Sequence, residues 1–208
     1  MRPSSDRLAA QLDFVLEIDK LKHVLRRTEL LDQSRRENSA EHSWHLAAMA
    51  MLLQEYAPGP VDLERVLRMI VVHDIVEIDA GDTYCYDEAG NEDKLQREQQ
   101  AAERLFNLLP EDLAGELRTL WEEFDSRSSN DARYAAAMDR LQPLLHNYFN
   151  DGGTWLENDI SREQVIDRCQ SIGEGAPLLW EYALTLIDDA TERGLLYSSA
   201  GATSRRAG

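Results

Sequence analysis

The chain has 208 residues, with 39 Asp and Glu against 22 Lys and Arg, for a formal charge of −17. That balance argues against a nucleic-acid polymer as partner, since phosphate backbones are held mainly by clustered Lys and Arg, but a small phosphorylated molecule stays open because a bound cation and one or two arginines can reverse the local field. At 43% apolar and 29% charged, with two cysteines, no signal-peptide core and no apolar run near the roughly 18 to 20 residues that cross a bilayer, the expectation is one globular domain of a reducing cytoplasm, with no disulfide framework and no membrane segment.

Helical periodicity dominates. Residues 8–25, LAAQLDFVLEIDKLKHVL, set Leu8, Leu12, Val15, Ile18, Leu21 and Leu25 on one stripe, which predicts an amphipathic helix. TELLDQSRRENSAEH interrupts it, and Asn38 with Glu41 predicts a capping box opening a second helix over 39–56. Pro58, Gly59 and Pro60 end that helix. Asp62 can cap a third over 62–79, which Gly81 terminates. After the polar loop TYCYDEAGNED a fourth helix is expected over 92–108, and Pro110 opens a fifth, PEDLAGELRTLWEEF. A sixth runs over 131–148 with Pro143 inside it, which predicts a kink or replaced hydrogen bonds. Two more follow the DGG turn, over 161–172 and 177–193, with Gly194 as a stop and a small polar tail expected to be disordered. There is no sustained strand alternation, so the fold class is all-α.

Chemistry concentrates where charge enters apolar faces. Met69 to Val72 leads straight into His73 and Asp74, with Glu77, Asp79 and Asp82 close behind. Burying such groups costs several kcal/mol unless they are paired or bound to a metal. His42 lies in the first turn of the second helix, in NSAEHSWH, and Asp139 lies in the sixth, in AAAMDRLQP. Singly, each has a plainer reading: a polar residue at a helix start, a buried His–Asp pair, an ion-paired core acid. Together, two imidazoles and two carboxylates suit Mn, Fe, Co, Ni or Zn, with Mg less at home beside histidine. Neighbouring residues diverge by about 100° on a helix, so His73 and Asp74 could share an ion only in a crevice between helices, as bundle metal sites do.

The order His … His-Asp … Asp, with E-x-x-x-G-D following the HD pair, resembles the HD-domain metal-dependent phosphohydrolases. The strings ENSAEHSWH, VVHDIVEIDAGD, MDRLQP and LPEDLAGELRTLWEEF are similar to the branch containing 5′-deoxynucleotidases, and the likeness spans residues 10–195. It implies an HD-domain helical bundle over residues 1–197, followed by the tail 198–208, with a mononuclear metal site in the core. The implied metal ligands are His42, His73, Asp74 and Asp139, for one divalent ion among Mn, Co, Fe, Ni, Zn and Mg. The catalytic acids fall on Glu77 and Asp82, and Glu77 would share the face of His73 and Asp74 one helical turn on. Plainer roles for these two are a salt bridge and Gly-Asp turn chemistry. A phosphate-binding arginine falls on Arg26 or Arg27, with Arg27 preferred by its spacing to His42. Where some members follow that arginine with an aromatic against the sugar, this chain has Thr28.

No histidine lies between Asp74 and Asp139, the interval that supplies further ligands in two-metal relatives, so one ion is expected. His45 and His146 are read as packing or cleft-lining groups, and the four tryptophans as core or interface residues. The implied activity is a phosphomonoesterase acting on nucleoside 5′-monophosphates through metal-activated water. The alternative is a nucleotide-binding regulatory HD protein with little turnover. The resemblance also implies a homodimer.

Overall fold

Side-chain caps set most of the long helices. Ser5 accepts from the Leu8 amide at the start of α1 (Asp6–Ile18), and the Asn38–Glu41 capping box opens α2 (Ser39–Leu52). Asp62 caps α3 (Leu63–Val72), Ser129 caps α8 (Asn130–Phe149), and a Ser161–Gln164 box opens α10 (Arg162–Cys169). Such caps contribute about 1 kcal/mol each. The structure, a computed structural model, describes residues 5–197; the expected disordered tail at 198–208 lies outside them. The remaining helices are α4 (Glu77–Ala80), α5 (Glu88–Asn91), α6 (Lys94–Phe106), α7 (Glu111–Ser126), α9 (Gly153–Glu157), α11 (Ile172–Gly175) and α12 (Pro177–Glu192). None is long and apolar enough to cross a membrane.

Several local expectations change. The first helix stops at Ile18, and the chain passes through a 3₁₀ turn, Asp19–His23, into a two-stranded antiparallel ribbon. Its strands, β1 (Leu25–Glu29) and β2 (Arg36–Asn38), pair Leu25 with Asn38 and Glu29 with Arg36. The stripe of α1 is also rotated. Phe14, Ile18 and Leu21 pack inward at helical spacing, whereas Leu8, Leu12 and Val15 stay exposed. The third helix ends at Val72. Bonds from Ile75 to Val72, Glu77 to Asp74 and Ile78 to Ile75 then wind the backbone three residues per turn before α4. Gly81, at φ 74°, ends α4, as expected of a residue free of the Cβ penalty.

The second helix likewise ends early, at Leu52, and Gln54–Tyr56 follow as a 3₁₀ turn. Helix α8 is the centre of the fold, packed by α2, α3, α7, α11 and α12. It runs through Pro143 without interruption, although the ring has no N–H for the Asp139 carbonyl. A large apolar cluster joins Leu46, Val66, Ile70, Met138 and Ile187; a second joins Phe14, Val76, Leu105, Phe106 and Trp121.

The row Ala135–Ala137 keeps the surface of α8 low. At Gly175 the approach of α11 is closer still, because a Cβ there would lie 2.1 Å from the Arg133 carbonyl oxygen. The obstacle is backbone and cannot swing aside. Gly175→Ala is therefore expected to cost about 3 kcal/mol, the upper end of overpacking penalties. In a chain of this size that lowers Tm by roughly 6–12 °C, and a thermal melt would reveal it.

Candidate metal and phosphate site

Four side chains from α2, α8 and the turn after α3 converge. His42 Nε2 lies 3.0 Å from Asp139 Oδ1, and His73 Nε2 lies 3.9 Å from the same oxygen. Asp74 Oδ1 is 3.0 Å from His73 Nε2. All four residues are buried, His42 completely. Each ring is oriented by its other nitrogen. His73 Nδ1 donates to the Ile70 carbonyl at 2.7 Å, and His42 Nδ1 donates to Gln142 Oε1 at 3.1 Å. In the neutral rings both Nε2 atoms therefore carry the lone pair and face the carboxylates, the arrangement that outer partners impose on metal-ligating histidines.

Among the described residues, His73 Nε2 is buried without a hydrogen-bond partner, since Asp74 Oδ1 is near but poorly aligned. Burial works against charge on that ring, yet Asp74 and Asp139 lift its pKa to about 9. Burial likewise opposes ionisation of Asp139, and Arg140, His42 and His73 outweigh it, holding the carboxyl well below the usual range. The surroundings call for positive charge between these atoms. A nitrogen–oxygen set of this kind fits a divalent transition ion.

The 3₁₀ winding after Asp74 gives Glu77 its place, because residues three apart eclipse in such a turn. Glu77 stands over Asp74, and Ser39 Oγ donates to its Oε2 at 2.6 Å. Burial and the Asp74 charge push the Glu77 carboxyl up to about 8. The Asp82 carboxyl is also raised, by burial and then by Asp74, with Arg26 opposing. Strand alternation turns Arg26 inward with buried Thr28 and leaves Arg27 exposed. Arg26 reaches Asp74 at 3.3 Å, Glu37 at 3.6 Å and Asp82 at 3.7 Å. Burial weakens its charge, but Asp74, Asp82, Glu77 and Asp139 raise its pKa further. Arg27, though exposed, also lines the same cleft.

That cleft is open to solvent and holds a cavity of about 110 Å³. Asp74, Glu77, Asp82 and Asp139 line it, together with Tyr84, Trp155 and Arg168. Lys94 lines it too, with its ammonium 3.4 Å from Glu98. Arg97 instead ties down the loop that carries Asp82, donating to the Ala80 carbonyl, to Thr83 at 3.1 Å and to the Gly90 carbonyl at 2.8 Å. Trp121 and Trp155 are core residues, but Trp44 is 72% exposed.

Ser39, Glu37 and Gln142 were not singled out by sequence. The usable signal was a glutamine inside the apolar run AAAMDRLQPLL, where a fully buried amide needs partners. Its amide nitrogen meets Glu37 Oε1 at 2.7 Å.

Comparison with known proteins places the chain in a family. The HD domain family matches residues 18–180. A mouse protein named 5′-deoxynucleotidase HDDC2 is 32% identical over 163 residues, covering 77% of this chain and 78% of that protein. The human protein of the same name is 33% identical over 135 residues, covering 64% and 65%. A crystal structure described as a predicted metal-dependent phosphohydrolase from Magnetospirillum magnetotacticum MS-1 is 54% identical, with a TM-score of 0.91 over 95% of this chain and 100% of that one. A family match over most of the chain, on a helical bundle that gathers the histidines and aspartates of the motif, makes this protein a member of the HD-domain family.

Proposed function

We propose that the protein is a metal-dependent phosphohydrolase of nucleotides, a phosphomonoesterase that hydrolyses nucleoside 5′-monophosphates in the manner of a 5′-deoxynucleotidase. The observation that carries this reading is the convergence of His42, His73 and Asp139 on one point, with Asp74 beside them, at the wall of an open cleft lined by Arg26 and Arg27. His42, His73, Asp74 and Asp139 would hold one divalent ion, whose identity among Mn, Co, Fe, Ni, Zn and Mg the donor set leaves open. Such an ion supplies Lewis acidity, making water more acidic and offsetting charge on the phosphoryl oxygens.

The chain's own residues do the rest. Arg26, held by Asp74 and Asp82, and Arg27 at the rim bind phosphate oxygens. Glu77, steadied by Ser39, takes a proton from the attacking water. The water oxygen bonds to phosphorus, the P–O5′ bond breaks, and the proton passes to O5′, releasing nucleoside and inorganic phosphate. Asp82 keeps Arg26 oriented and assists the proton transfer.

Residues 1–197 are read as a single HD domain of the cytoplasm. The exposed Leu8, Leu12, Val15 and Leu16 on α1 support a homodimer, since a contiguous apolar face of this kind commonly marks an interface.

The test is phosphate release from a panel of ribo- and deoxynucleoside 5′-monophosphates, with single divalent metals added to chelator-stripped protein. Release is expected from the 5′-monophosphates only with metal, and none from 3′-monophosphates. Tight nucleotide binding without release under any metal would instead indicate a regulatory HD protein.

A further inference from the structure

Beyond the HD site lies a second convergence. Glu37 on β2, His45 on α2 and His146 on α8 offer donor atoms within 4.8 Å of one another. All three surround the side-chain amide of Gln142. Its Nε2 is 2.7 Å from Glu37 Oε1, 3.1 Å from His146 Nε2 and 3.5 Å from His45 Nδ1. His146 Nδ1 donates to the Glu29 carbonyl at 3.0 Å, so its Nε2 bears the lone pair.

The arrangement has more acceptors than donors. An amide NH₂ has two hydrogens; Glu37 Oε1 and His146 Nε2 take both, and His45 Nδ1, in its Nε2–H tautomer, faces the same group as a third acceptor. Glu37 Oε2, on a residue 2% exposed, has no hydrogen-bond partner among the described residues. The nearby cation, Arg26, sits 3.6 Å away and is shared with Asp74 and Asp82. A group carrying more positive charge than an amide would satisfy all of these atoms at once. Half-buried His45, beside the exposed Trp44, gives a route from solvent.

We propose that Glu37, His45 and His146 form a second divalent-cation site, whose centre the Gln142 amide occupies until an ion displaces it. Two imidazoles and a carboxylate select zinc, cobalt or nickel over magnesium or calcium. The site lies outside the interval in which further HD ligands were expected, and it gives His45 and His146 a ligating role in place of packing. It is also coupled to the first site. Gln142 Oε1 accepts from His42 Nδ1, and Glu37 Oε2 lies 3.5 Å from that same nitrogen. When Gln142 turns away, Glu37 can ligate through one oxygen and orient His42 through the other.

Equilibrium dialysis of the chelator-stripped full chain against Co(II) or Zn(II), with elemental analysis, tests the proposal. Two ions per chain are expected in the wild type, one in His45→Ala, and one in His146→Ala. His73→Ala is expected to retain this second ion while losing the first, so failure of the HD site reads out separately. Gln142→Ala removes the competing amide and is expected to bind the second ion about tenfold more tightly, the equivalent of one lost intramolecular hydrogen bond. That gain also guards against misfolding as an explanation, since a purely structural network would gain no affinity. A single ion in the wild type with no gain in Gln142→Ala would overturn the proposal. So would two ions that persist in both histidine variants.

Discussion

An Asp139→Asn variant is expected to lose the divalent cation held with His42, His73 and Asp74 and, with it, phosphate release. The substitution conserves shape, so the packing of α8 against α2 and α3 should survive. What changes is charge at the point where the two imidazoles meet. Asp139 Oδ1 faces His42 Nε2 at 3.0 Å and His73 Nε2 at 3.9 Å, while Oδ2 pairs with Arg140 at 2.6 Å. Burial alone would favour the neutral acid, but Arg140 and the two histidines keep the carboxyl ionised far below neutral pH. An amide offers neither the charge nor a second acceptor oxygen. Arg140 is partly exposed and can be solvated when its partner is lost. The Lewis-acid contribution is worth several kcal/mol, so at about 1.36 kcal/mol per tenfold, kcat/KM should fall roughly 10³-fold or more. Elemental analysis and initial rates at saturating metal measure both effects. An Asp139→Asn protein that keeps as many ions as the wild type, and its rate, would remove Asp139 from the ligand set.

The metal-site candidates were legible because each is an ionisable residue inside an apolar helical stretch, and their order along the chain matches a known pattern. His42, His73, Asp74 and Asp139 meet although they lie far apart in sequence. The β1–β2 ribbon was not legible. Strands of five and three residues carry too little alternation to read locally, and their pairing is decided by a partner across a turn. That gap has a consequence at the site. Without the strand, spacing to His42 favours Arg27; with it, the period of two turns Arg26 inward beside Thr28. The same ribbon carries Glu37, whose partner Gln142 is 105 residues away. The exposed face of α1 has a different cause. Periodicity identifies a helix with an apolar side, but the sector that finds a neighbour is set by tertiary packing.

Glu77→Gln is expected to separate proton transfer from metal binding. Sequence reasoning placed Glu77 on the face of His73 and Asp74 one helical turn on; the backbone there is wound more tightly than an α-helix, and the residue it eclipses is Asp74. This makes the position more specific. Glu77 is buried, anchored through Oε2 by Ser39, and its carboxyl is pushed up to about 8 by burial and the Asp74 charge. A group that gains and loses a proton near neutral pH is suited to general acid–base work. Glutamine fills the same volume and can still accept from Ser39, but it cannot take a proton from water. The expected result is a kcat lower by about 10²–10⁴-fold, with KM within a few-fold of wild type. The cation should remain bound, in contrast to Asp139→Asn. Elemental analysis beside steady-state kinetics tells the two variants apart. If Glu77→Gln lost an ion as well as its rate, Glu77 would be a ligand, and the proton would have to be handled by Asp82, the other carboxylate held beside Arg26.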